Sequence, residues 1–399
     1  MSQVGCMEAD VPDKNQNANI LDERVTSIAA SAASKKLRAT LQRLRLNQTK
    51  VSDVPVHWAL LDDRVQSGLA GARAVIGIPT WGCSYARTNW AGCSVCGHCA
   101  STLWSPAFDQ REMIDDFLKS MSALDGARPQ HVCLYTSGSF FDDKELPVET
   151  RHHILAAVQS RKWISSISLE SLPQFVSEST LSEIRGILPR TRISLGLGID
   201  STNEFIRAIC FQRHIRLSAY EAALNLCARH NIESVAYIVH KPPFLTDEES
   251  VGDTANSLRN AFGMGFARVS IEPTAIQAGT LQSELQRHGL YTPPTVWTLA
   301  SSLIEFGDAL SEFSDRIVFG GQVFTPLPFS SLHGCPKCIS AAGALLPNLP
   351  KAVFATIPLI QDTACACSPS IIKASPLNQD TLAKRMCKTL DQLEDRTAS

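Results

Sequence analysis

Residues 72–99 read ARAVIGIPTWGCSYARTNWAGCSVCGHC. The stretch opens on a β-branched apolar run at 72–78 and passes directly into a loop carrying Cys83, Cys93, Cys96 and Cys99. A strand that hands thiols to the loop at its C-terminal end frames the rest of the chain. Further short apolar runs lie at 131–136, 164–170, 192–198, 233–239 and 266–272. Segments of helical periodicity near 109–124, 149–161, 178–187, 217–230 and 247–262 separate them. Strand and helix alternating in this way mean a parallel sheet with crossover helices. Strands apolar along most of their length are those buried on both faces. Six such units fall short of an eight-stranded closure. The expected fold is therefore α/β, a partial (β/α)6 TIM-type barrel over residues 71–324, with its functional groups at the C-terminal ends of the strands.

The flanks read differently. Residues 1–70 are expected to hold a polar N-terminal leader and a basic amphipathic helix. The helix signal is KKLRATLQRLRLNQTK at 35–50, with six basic residues, no acid, and Leu37, Leu41 and Leu44 at helical spacing. Such a helix is either a solvated face packed on the main body or a surface turned to RNA or a partner. After residue 325 the alternation stops and Pro326, Pro328, Pro336, Pro347 and Pro350 punctuate the chain. Residues 325–399 are read as a small Cys-rich metal-binding appendage followed by a C-terminal helix from 375.

Composition bounds the function. In 399 residues, 44% are hydrophobic and 19% charged, which is ordinary globular usage. Lys and Arg number 37 against 39 acids, so the formal charge is 37 − 39 = −2. That excludes a strongly cationic nucleic-acid binder, and any RNA contact has to be a local patch or come through another subunit. No apolar run approaches the roughly 18 residues of a membrane span. The first residues carry no basic-then-apolar secretory pattern. Thirteen cysteines without such a signal point to a reducing, cytoplasmic compartment and to metal or redox chemistry.

Cys83, Cys93 and Cys96 can hold three irons of a [4Fe-4S] cluster and leave the fourth open. If Cys99 adds a fourth thiolate, the same loop becomes a closed zinc or electron-transfer site. Cys335, Cys338, Cys365 and Cys367 form a second group with the arithmetic of a closed tetrahedral site, either structural zinc or a second iron-sulfur cluster.

With three thiolates on the loop after the first strand of a partial barrel, the chain resembles the radical S-adenosylmethionine (radical SAM) enzymes. The nine-residue gap between Cys83 and Cys93 is similar to the Elp3-like branch. LYTSGSFFDDKELP from Leu134 resembles the family's glycine-containing segment, which implies that Thr136, Ser137, Gly138 and Ser139 line the cofactor's amino group. SLESLPQF resembles a Glu-Ser-Arg-Pro-Glu segment, with Leu172 and Gln174 in place of the Arg and Glu. By that likeness Glu170 meets the cofactor's ribose and Asp200 fills a further acidic position. VHKPPFLTDEES from Val239, IEPTAIQAGTL from Ile271, HGLYTPPTVW from His288, HGCPKC at 333–338 and CAC at 365–367 resemble segments of the archaeosine-biosynthesis radical SAM proteins (RaSEA). Glu272 stands where that family usually carries Asn, and Thr295 where it often carries Trp.

The resemblance implies reductive cleavage of S-adenosylmethionine, an electron donor such as flavodoxin or ferredoxin, and C–N cleavage of a 7-deazaguanine-lysine adduct in tRNA, reached through a partner subunit. Lys241, Glu272 and Gln277, at or just after strand ends, are the candidate catalytic contacts to the substrate. A small-molecule or peptide substrate is the alternative within the same chemistry. A non-enzymatic binding protein stapled by two zinc sites is the alternative outside it.

Overall fold

The computed structural model describes residues 28–46, 57–62, 72–87, 92–97, 109–320, 332–338, 350, 353 and 371–398. Eight strands form one sheet in chain order. They are β1 (His57–Asp62), β2 (Ala72–Gly77), β3 (His131–Tyr135), β4 (Ser166–Ser171), β5 (Arg192–Asp200), β6 (Glu233–His240), β7 (Arg268–Pro273) and β8 (Ile317–Phe319). β1 runs antiparallel to β2, and every later pair is parallel. The partial barrel thus has seven parallel strands rather than six, with an antiparallel strand on its first edge. β1 falls in the segment read as leader and helix. β8 is three residues long and carries no periodicity to read.

The crossover helices on the outer face are α2 (Gln110–Ala123), α3 (Val148–Gln159), α4 (Glu178–Ile187), α6 (Leu217–Arg229) and α7 (Asp247–Met264). Their starts are written in the sequence. Asp109 caps α2, Ser177 and Thr180 form a capping box on α4, and Thr246 with Glu249 does so on α7. Gly265 ends α7 at φ 98, a left-handed residue that glycine adopts without a Cβ penalty. Apolar side chains from these helices and from β2–β8 form one contiguous core.

A second core lies at the chain's ends. α1 (Ile28–Leu46) and the last helix, α11 (Gln379–Ala398), bury Leu37, Leu41, Leu382, Met386, Leu390 and Leu393 together. The same cluster takes in Phe205 and Ile206 of α5 (Glu204–Cys210) and Leu281 and Leu285 of α8 (Leu281–Arg287). The basic face of α1 is partly neutralised there, because Lys36 pairs with Asp391 and Glu394, and Arg43 with Glu394. Between α8 and α11 come α9 (Val296–Phe306), buried on nearly every side, and α10 (Ala309–Phe313).

Asp253 on α7 gives the fold a pH dependence. One carboxylate oxygen accepts from Ser201 Oγ at 2.7 Å and the other has no partner. Burial pushes the group from 3.8 up to about 7, against the opposing pull of the Ser201 hydrogen bond and Arg207. The folded chain therefore holds this proton more tightly than the unfolded one. The contribution to stability is full below about pH 4 and is lost as the pH rises to 7. Across that window the melting temperature of the wild type is expected to fall relative to Asp253→Asn, which cannot titrate. The difference should reach up to about 4 kcal/mol.

Candidate functional site

The loop after β2 carries Cys83 in a tight turn, its carbonyl accepting from Ala86 N at 3.0 Å. Cys93 is buried, and Cys83 and Cys96 are half-buried. Burial pushes the Cys83 thiol well up, and so do Glu145 and the charges that Cys93 and Cys96 would carry. Cys93 is raised by burial and by Asp200 and Cys96, with Arg213 opposing. The three thiols therefore share one electrostatic environment at the C-terminal edge of the sheet. Cys99 lies outside the described residues.

Distant parts of the chain fix this loop. Ser94 N donates to Phe211 O at 3.1 Å and Ser94 Oγ to Cys210 O at 2.5 Å. Leu281 N donates to Ser94 O at 3.3 Å, and Gln212 Nε2 to Gly92 O at 3.1 Å. Gly97 N donates to Gln277 Oε1 at 3.1 Å. Gln277, read from the sequence as a substrate contact, thus holds the cysteine loop in this structure.

Arg213 is the central cation. Its Nη2 donates to Cys93 Sγ at 2.9 Å and its Nη1 to Gly198 O at 2.8 Å, and its Nε pairs with Asp200 Oδ2 at 2.9 Å. A Cβ at Gly198 would stand 3.0 Å from Nη1, so a side chain there would crowd the guanidinium. Asp200 sits at φ 60 where the β5–β6 register shifts, which turns its carboxylate to the strand end. Burial raises the Asp200 carboxyl, while Arg213 and Arg207 pull it down.

The segment after β3 is built around Glu145, a residue the sequence reading passed over. Its carboxylate accepts from Thr80 Oγ1 at 2.8 Å and from Ser139 N at 2.7 Å. Burial still pushes it up to about 7. Ser139 Oγ in turn accepts from Leu172 N at 3.0 Å, which ties this segment to the one after β4. Thr136 is buried and Ser137 half-buried beside them. Gly138 packs against the cysteine loop itself: a Cβ there would meet Glu145 Oε2 at 2.5 Å, Cys83 Cβ at 2.8 Å and Cys83 Cα at 2.9 Å. Backbone on one side and a buried carboxylate on the other leave no room to yield. Gly138→Val is expected to displace Cys83, reducing iron uptake by at least about tenfold while circular dichroism of the helices stays unchanged.

Glu170 near the end of β4 and Glu272 near the end of β7 form a carboxylate pair. Burial and the like charge of Glu272 push Glu170 up to about 7, with a hydrogen bond from Tyr237 opposing. Glu272 is itself raised by burial, and Ser270 Oγ donates to it at 2.7 Å. Gly196 leaves room for the Tyr237 ring, which a Cβ there would meet at 2.5 Å. Cys96 is among the groups that raise Glu170, so this pair and the cysteine loop border one region.

Lys241 follows the C-terminal end of β6. It is buried at φ 59, and its ammonium pairs with Asp247 Oδ1 at 2.6 Å. Its carbonyl accepts from Thr274 Oγ1 at 2.8 Å and Tyr291 Oη at 2.7 Å. Three of the sequence segments that resembled one family thus meet at Lys241. His333 N adds a bond to Pro294 O at 2.7 Å, which brings in the HGCPKC segment. Of the second cysteine group, Cys338 is buried and Cys335 half-buried, while Cys365 and Cys367 lie outside the described residues.

Known proteins resemble this chain in sequence. No family model matches it. It is 23% identical to archaeosine synthase subunit beta of Methanosarcina acetivorans over 75% of this chain and 84% of that protein. With the Thermococcus kodakarensis protein of the same name it shares 26% over 62% of this chain and 75% of the relative. The chain resembles the radical SAM enzymes of the archaeosine synthase subunit beta type. An uncharacterised protein of Methanocaldococcus jannaschii is 29% identical over 68% of this chain and 74% of its own length. Among solved structures, the radical SAM enzyme HemN of Escherichia coli overlays with a TM-score of 0.38 at 11% identity, over 71% of this chain and 84% of HemN. An overlap of that size bears on neither chemistry nor substrate. No helix among the described residues is long and apolar enough to cross a membrane.

Proposed function

We propose that this radical SAM enzyme binds a [4Fe-4S] cluster through Cys83, Cys93 and Cys96 and acts on a modified base in tRNA. The reading is carried by three half-buried or buried thiols that feel one another's charge at the C-terminal sheet edge, with Arg213 on one sulfur. Among the described residues, no three His, Cys, Asp or Glu side chains converge tightly enough for a single metal ion. A cubane takes its thiolates at different corners, one per iron. When bound, such a cluster supplies an electron to the sulfonium of S-adenosylmethionine and so yields the 5′-deoxyadenosyl radical. The electron comes from an external donor of the flavodoxin or ferredoxin type.

The chain's own residues bind and orient. Gly138 packs against Cys83, and Thr136, Ser137 and Ser139 beside it are our candidates to line the cofactor's amino group, with Ser139 N braced by Glu145. Glu170, whose carboxyl burial and the charge of Glu272 push up, is our candidate partner for a ribose hydroxyl. Asp200, neutralised by Arg213, keeps that guanidinium aimed at Cys93. Glu272, whose like charge raises Glu170, is our candidate contact to the substrate. The substrate reading, a 7-deazaguanine-lysine adduct whose C–N bond is cut, draws on the named relatives. Those relatives are subunits of a synthase, which supports a partner subunit that brings the tRNA. The pairing of Lys36 and Arg43 with α11 acids supports the same division of labour, because it leaves α1 less charge for RNA. A structural metal at the second cysteine group and a cytoplasmic location complete the proposal.

Anaerobic reconstitution followed by reduction with S-adenosylmethionine tests it. Roughly four irons per chain and 5′-deoxyadenosine are expected, and tRNA carrying the lysine adduct should yield the amidine. Zinc in place of iron, with no 5′-deoxyadenosine, would overturn the reading. Turnover on a small molecule or peptide but not on tRNA would move the substrate.

A further inference from the structure

The last turn of α1 points at the cysteine loop. Arg45 Nη2 donates to Cys93 O at 3.1 Å and to Cys96 O at 2.9 Å, while Nη1 donates to Gly279 O at 3.1 Å. One guanidinium therefore joins the carbonyls of two of the three cysteines to the segment that precedes α8. The planar fork of Arg makes this possible, and an ammonium could serve only part of it. The helix carrying Arg45 is itself fixed by burial of Leu37 and Leu41 against α11, α5 and α8. We infer that Arg45 is a positioning residue for the iron-sulfur loop, delivered by the packed helices at the two ends of the chain. This inference rests on the cluster reading above and goes beyond it, because it gives α1 and α11 a role in the chemistry.

Two effects follow from the geometry. The fork restrains the backbone between Cys93 and Cys96, so its loss loosens the grip on the cluster. The charge lies close to a group that becomes more negative on reduction, so its loss makes reduction harder. Gln and Lys substitutions separate the two. Arg45→Gln removes fork and charge, whereas Arg45→Lys keeps the charge and forfeits most of the fork. Arg43→Gln, on the same helix as Arg45, breaks the pair with Glu394 of α11 and is the control for general damage to α1.

The experiment uses the full-length chain. Hydrogen exchange of the loop amides 94–97 is read in the iron-free protein, then cluster release and the reduction midpoint after anaerobic reconstitution. Arg45→Gln should raise loop exchange and cluster release by at least tenfold and move the midpoint to more negative potential. Arg45→Lys should recover the midpoint but only part of the release rate. Arg43→Gln should match the wild type in all three. The inference fails if Arg45→Gln has wild-type exchange and midpoint, or if Arg43→Gln has the same effects as Arg45→Gln. A wild-type chain that takes up no iron overturns the cluster reading and this inference together. A normal wild-type cluster with an indifferent Arg45→Gln overturns this inference alone.

Discussion

Cys93→Ala should abolish 5′-deoxyadenosine formation and leave the fold standing. The two halves of that expectation have separate causes. Cys93 is buried, with Arg213 on its sulfur, so it presents an oriented ligand rather than a mobile thiol. Its removal leaves Cys83 and Cys96, and two thiolates cannot hold a cluster that needs three. Losing a group that merely orients a ligand costs roughly 10–100-fold in metal affinity, and losing the ligand itself costs more. The fold is spared because the deleted group is a single sulfur, and Arg213 keeps Asp200 and Gly198 O as partners. The apo melting temperature should therefore shift by the equivalent of about 1 kcal/mol. Iron content, 5′-deoxyadenosine and the apo melt are the three measurements. Cys99→Ala assayed in parallel should keep the cluster. A Cys99→Ala protein as inactive as Cys93→Ala would mean a closed site and would remove the radical chemistry.

Much of the architecture was legible because it repeats. Six apolar runs and five helical segments recur with caps and spacers between them, and each is a strand or helix within a few residues of its expected place. β1 and β8 were not legible. β8 has too few residues to alternate, and β1 pairs antiparallel to its neighbour, outside the strand–helix rhythm. α9 does carry a polar stripe, Thr298, Ser301, Ser302 and Glu305 at helical spacing, but the fold buries the first three along with the apolar side chains, so this stripe is not a solvent face. The cysteine loop announced itself through residue type. The cations that hold it did not, since Arg45 and Arg213 meet backbone carbonyls and a sulfur more than a dozen positions away. Nothing local distinguishes such an arginine from a solvated one. Glu145 was missed in the same way, because its partners Thr80 and Ser139 N are ordinary loop groups until the fold brings them together.

Arg213→Gln should be costly in a way that a second substitution repairs. Asp200 is 6% exposed and its only ion pair among the described contacts is to Arg213. Removing the guanidinium strands a buried carboxylate, a change worth about 3–5 kcal/mol. The sign with pH follows from the direction of the shift. Burial already raises the Asp200 carboxyl, and without Arg213 it rises further. A carboxyl raised in the folded state stabilises the fold at low pH, and that contribution is lost as the pH climbs through the folded pKa. Arg213→Gln should therefore lie nearest to wild-type stability in acid and furthest from it above neutrality. Adding Asp200→Asn removes the stranded charge, so the double variant should recover most of the loss and its pH dependence. Iron uptake should not recover with it, because Cys93 still lacks its N–H donor. Melting curves from acid to alkaline pH, with iron content after reconstitution, measure both. A single variant as stable as the wild type at every pH, or a double variant no better than the single, would show that Asp200 does not depend on Arg213. In that case the cation at Cys93 would serve the sulfur alone.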